Sequence, residues 1–134
     1  MKNLIGLLFM FLLIVSLASC SQSASDMVPG EWQITDLKTT SDIPEDQMEA
    51  YNAQIEEMKN SSKIVFKADG TFEQTILDET SNGKWEVSED GKTLSTDIDG
   101  VKEVKKIEEL SPEKMVLVVA FDSDTTTTTL QKVK

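Results

Sequence analysis

The residues able to do chemistry in this chain are few. Its 134 residues hold 24 acidic side chains, 13 basic ones, no histidine and a single cysteine, Cys20. Adjacent carboxylates such as Glu56-Glu57 and Glu108-Glu109 have the composition of an acid/base couple. In so acidic a chain such pairs arise by chance, and a charge run is ordinarily a solvated face. No G-x-S-x-G, H-E-x-x-H or phosphate-binding loop is present, so no nucleophile has a base beside it and no zinc-ligand set exists. Asp97-Ile98-Asp99-Gly100 has the start of a calcium loop without its later ligands or terminal Glu. No catalytic residue, metal site or cofactor is therefore expected, and the chain reads as a non-enzyme. What is left is binding chemistry: Trp32 and Trp85, and a methionine-bearing stripe at Met48, Tyr51, Ile55 and Met58.

Cys20 closes a leader. Met1–Ser19 has one positive charge, Lys2, an apolar run from Leu4 to Leu17, and small residues at Ala18 and Ser19. These are the three regions of a secretory signal, too short for a comfortable spanning helix. Leu17-Ala18-Ser19-Cys20 resembles the bacterial lipobox. That resemblance implies cleavage before Cys20, acylation of its sulfur, and a mature protein held to a membrane by its acyl chains. Ser21, in place of the aspartate that retains many such proteins in the inner membrane, implies the outer membrane of the cell envelope. Once Cys20 is acylated no thiol remains for a disulfide, so the core alone must hold the fold. A formal net charge of −11 with no arginine argues against nucleic acid, whose phosphates would be repelled. It also argues that membrane attachment comes from lipid and not from charge.

Residues 21–29 (Ser21 to Pro29) read as a flexible tether, and residues 30–134 as one domain. Gly30 to Leu37 alternates, with Trp32 and Ile34 on one face, as a first strand does. From Pro44 to Lys59, Met48, Tyr51, Ile55 and Met58 recur at helical spacing, and Asp42 with Glu45 has the spacing of a capping box. Beyond Ser62, strand-length segments are separated by Asp69-Gly70, Asn82-Gly83, Asp90-Gly91 and Asp99-Gly100. Asx-Gly supplies the positive φ of tight hairpins. Val101 to Leu110 fits a helix or a bulged strand, and its strand neighbours favour the strand. Met115–Phe121 and Thr125–Val133 complete eight strands. The expected fold is all-β, an eight-stranded up-and-down antiparallel barrel with one amphipathic helix inserted after the first strand.

Gly30-Glu31-Trp32 resembles the G-x-W signature of lipocalins. Phe66 with Asp69-Gly70-Thr71-Phe72, then Gly83-Lys84-Trp85 and Leu110-Ser111-Pro112, are similar to the short bacterial lipocalin-like domains often found behind lipoboxes. The late arginine that packs on the G-x-W indole in classical lipocalins is missing, and Lys132 or Lys134 is left to stand there. The resemblance implies a lipocalin-like barrel, with the helix as a lid over an open mouth, binding or carrying a small apolar or amphipathic ligand. On that reading Trp32, Met48, Tyr51, Ile55, Met58 and Trp85 are the candidate ligand contacts. The plainer reading makes the tryptophans core and the helix a plug. The rival function is a solid barrel serving as a protein-interaction module.

Overall fold

A computed structural model describes residues 23–134. The leader and Cys20 lie outside the described residues. A short helix α1 (Ala24–Met27) precedes strand β1 (Gly30–Thr39), helix α2 (Glu45–Ser61) and β2 (Lys63–Phe66). Then follow β3 (Thr71–Ile76), β4 (Glu79–Val87), β5 (Thr93–Ile98), β6 (Val101–Leu110), β7 (Lys114–Phe121) and β8 (Asp124–Lys132). Each strand pairs antiparallel with its sequence neighbours, and β8 returns to β1, closing the barrel. No edge is left to pair with another chain. Bulges in β1, between Ile34 and Asp36, and in β6, between Ile107 and Glu109, supply local bends.

The period of two places one face of each strand inside. Trp32, Ile34, Phe66, Phe72, Leu94, Met115, Leu117 and Leu130 form the core. The core lies towards the end closed by α1 and the β2–β3, β4–β5 and β6–β7 turns. The other end, reached by the β3–β4, β5–β6 and β7–β8 turns, is the mouth.

Four sequence expectations change. Residues 23–29 are no tether: Ser23 donates to the Asp26 carboxylate at 2.7 Å, Val28 is fully buried, and its carbonyl accepts the Trp32 indole N–H at 2.8 Å. The sequence offered a polar, serine-rich string, and one buried valine was enough to dock it. The folded unit therefore includes residues 23–29, ahead of the domain boundary drawn at residue 30. The capping box does not form. Pro44 is the N-cap and no side chain caps the helix, because a residue before proline is pushed out of helical conformation and Asp42 falls too far back. The strand at 101–110 is as expected.

The remaining change concerns Asn82-Gly83, which lies inside β4 and is no turn. The β3–β4 reversal is made by Leu77 and Asp78, both at positive φ (51° and 66°), a conformation that leucine seldom takes. Gly83 is needed for another reason. A Cβ there would overlap the Asp97 carbonyl oxygen and come within 2.8 Å of the Phe72 ring. Gly83→Val should thus destabilise by ~1–3 kcal/mol or more through overpacking. A denaturation midpoint equal to that of the unaltered protein would refute this close approach.

At the closed end, the Thr71 hydroxyl and then its backbone N–H hold the Asp69 carboxyl below its ordinary pKa. Ser88 and the Lys92 N–H do the same for Asp90. Both glycine turns expected there, Gly70 (φ 88°) and Gly91 (φ 71°), have the positive φ their sequences implied.

Candidate functional site

Lys132 takes the place of the missing arginine. Its ammonium lies 4.9 Å from the Trp32 ring centroid and donates to the carbonyls of Met27 (2.9 Å) and Pro29 (3.1 Å). Burial pushes its pKa below the ordinary lysine value. Gly30 has φ 139°, and a Cβ there would meet the Lys132 stem at 3.1 Å. The glycine and tryptophan of G-x-W thus serve one closure. The glycine lets the lysine pass, and the tryptophan gives it a π face. This is a structural lock at the closed end.

The open space is nearer the mouth. A cavity of about 240 Å³ is walled by Ile34, Leu37, Met58, Ile64, Ile76, Leu117, Val119, Phe121 and Leu130, with Gln74, Glu103, Lys105, Thr126 and Thr128 as its polar lining. Directly opposed residues of an antiparallel pair share a face, so the register settles which side chains point in. Lys105 faces Leu94 and Glu103 faces Thr96, with Leu94 and Thr96 both buried. Two charged residues of a strand that is mostly exposed therefore belong to the interior face. The Lys105 ammonium stands 3.8 Å from the Glu103 carboxylate, an ion pair longer than a hydrogen bond.

Helix α2 crosses between β1 and β3 at this end. The Gln33 amide donates to the Lys59 carbonyl at 2.9 Å, and the Ser62 hydroxyl accepts the Ile34 N–H at 2.9 Å. Both bonds tie the C-terminal part of the helix to the first strand. No residue of the helix is buried. Its stripe is half-buried at Tyr51, Ile55 and Met58, and Met58 packs against the core cluster while it lines the cavity.

The six sequence candidates separate. Met58 lines the cavity. Met48 and Tyr51 border an outer cleft with Leu37 and Ile43, and Ile55 is half-buried. Trp32 is fully buried core. Trp85 donates its indole N–H to the Lys67 carbonyl at 2.8 Å and packs edge-on to Phe66 at 5.7 Å, near the closed end and away from the cavity. The residues that sequence reasoning passed over are Ile34 and Leu37 on β1, Ile64 on β2, and those on β3, β6, β7 and β8. On β6 the signal was the alternation Val101, Glu103, Lys105, Ile107, which reads as a face only once the β6 register is known. Among the described residues no cluster of acids or sulfur ligands could hold a metal ion. No helix among them is long and apolar enough to cross a membrane.

Comparisons with known proteins agree with this geometry. The family profile of the lipocalin-like domain matches residues 28–117. Among solved structures, the fold is similar to that of a DUF4847-family protein from Bacteroides vulgatus, with TM-score 0.57 and 15% identity over 81% of this chain and 95% of that one. It is also similar to a lipocalin-like protein from Bacteroides uniformis, with TM-score 0.53 and 18% identity over 80% of this chain and 99% of that one. At such identities the likeness speaks for the fold alone. No curated protein matches the sequence. With the family profile covering most of a closed eight-stranded barrel that carries its helix after the first strand, the chain belongs to the lipocalin-like domain family.

Proposed function

We propose that this protein is a lipid-anchored envelope lipoprotein whose barrel binds or carries a small apolar or amphipathic molecule. The observation that carries the binding half is the cavity of about 240 Å³ with mostly apolar walls, to which the helix contributes Met58. A packed barrel would have favoured the rival reading as an interaction module, and this barrel is not packed at its mouth. The size limits the guest. Taking roughly 30 Å³ per methylene-sized group, the share of a water in the liquid, the space holds about eight such groups. That suits the tail of a short-chain amphiphile whose head stays at the open mouth.

The anchor rests on Leu17-Ala18-Ser19-Cys20. Three residue steps separate Cys20 from Ser23, the first described residue, and can span at most ~10 Å. An acylated Cys20 would hold the closed end of the barrel near the bilayer and leave the mouth facing away. Two acyl chains would make that attachment stable, since each buried CH₂ contributes ~0.8 kcal/mol.

Two experiments test the two halves. Cys20→Ala should abolish incorporation of labelled fatty acid in the bacterial host, and continued labelling would remove the anchor. Octanol titrated into residues 23–134, which form a self-contained closed barrel, should raise the melting temperature. Saturation at a hundred times Kd adds ~2.7 kcal/mol to stability. No thermal response to octanol, octylamine or octanoate would remove the carrier reading.

A further inference from the structure

The cavity's charge lies unevenly, and that unevenness selects among guests. At the mouth Glu79 shares a face with Ile76, and Asp124 shares one with Phe121. Ile76 and Phe121 both line the cavity. Glu103 lines it directly, and its partner Lys105 is the one lysine among the lining residues. That lysine and Glu103 stand 3.8 Å apart and largely offset one another, so the uncompensated charge at the mouth is that of Glu79 and Asp124. The mouth turns add Asp78, Asp99 and Asp122, each at positive φ.

Resting on the carrier reading, we infer that the ligand is a short-tailed amphiphile with a cationic head. Its tail occupies the apolar walls and its protonated amine sits at the mouth, level with Glu103, Glu79 and Asp124. The apolar walls supply affinity for any tail of the right length and do not distinguish heads. The head is distinguished by the field. A carboxylate at the mouth would meet three carboxylates on the inward faces of β4, β6 and β8 against the single ammonium of Lys105, a like-charge excess that disfavours it. An ammonium meets them with opposite sign, and converging charges at a low-dielectric opening raise its local concentration. An alcohol, feeling neither, should fall between. The groups are part-exposed, so the effect is moderate and sensitive to salt.

The test compares octylamine, octanol and octanoate, whose tails match, against residues 23–134 by calorimetry at pH 7. At low ionic strength octylammonium should bind tightest and octanoate weakest, the extremes separated by about tenfold or more. Salt at ~0.5 M, where the Debye length falls to a few ångströms, should narrow the gap. The triple variant Glu79→Gln, Glu103→Gln, Asp124→Asn should bring the ammonium and alcohol affinities together. Lys105→Met should act oppositely and widen the preference for the ammonium. Octanol binding with octanoate as tight as octylamine would overturn the charge selection and leave the carrier reading standing. So would a preference that neither salt nor the variants alter. Failure of all three probes to bind would overturn both.

Discussion

Trp32→Ala should be the most damaging single truncation in the barrel. The indole is fully buried, and truncating a buried tryptophan costs ~3–5 kcal/mol. Its N–H also satisfies the Val28 carbonyl at 2.8 Å, and its face receives the Lys132 ammonium at 4.9 Å. Loss of the ring would empty the closed end, orphan a buried carbonyl and weaken the seat of residues 23–29. For a domain of this size the melting temperature should fall by about 10–20 °C. Cleavage by a nonspecific protease near residues 23–29 should quicken as well. A shift of only a few degrees would show that the lock at Trp32 and Lys132 does not hold the closed end.

Val119→Trp should instead leave the fold and remove the guest. Val119 is half-buried on β7 and lines the cavity, so an indole there grows into space and not into packed core. The stability change should stay within about 1–2 kcal/mol, the small end of overpacking. If the ring displaces about three methylenes of a bound tail, at ~0.8 kcal/mol each, octanol affinity should fall by about fifty-fold. Unchanged octanol binding in a folded Val119→Trp protein would place the guest elsewhere.

These two variants mark what the sequence does and does not reveal. The closed end was legible apart from residues 23–29, whose docking through Val28 the polar string concealed. Gly30-Glu31-Trp32 pointed to the buried indole, and the turns at Gly70 and Gly91 have the positive φ their sequences imply. Lys132 was one of two residues left for the absent arginine, and the structure chooses it. The mouth was much less legible. Leu77 and Asp78 make a tight reversal without a glycine, so no turn signal appears there. Asn82-Gly83 imitates one inside a strand, because the tight packing of Gly83 against Asp97 and Phe72 is a tertiary demand that local pattern cannot show.

The cavity was expected only through the resemblance, and of its walls the sequence marked only Met58. A void is the absence of atoms, fixed by how β3, β6, β7 and β8 converge, and the tryptophans that drew attention proved to lie elsewhere. Glu103 and Lys105 carry no local sign of an inward position, since nothing in the pattern distinguishes an inward charge at a wet mouth from an outward one. Met58 was found because the helix stripe has its own period. The others of that stripe lie on the outer cleft or are half-buried beside it.

The central claim is that a small amphiphile occupies the space between β3, β7 and the helix. The most direct measurement is magnetic resonance of methyl-labelled residues 23–134 titrated with octanol. Contacts from the octyl chain should appear at Ile64, Ile76, Leu117 and Val119, with the Leu94 methyls beyond reach of the tail and little affected. Contacts confined to the outer cleft by Met48 and Tyr51, or no contacts at saturating octanol, would contradict the account.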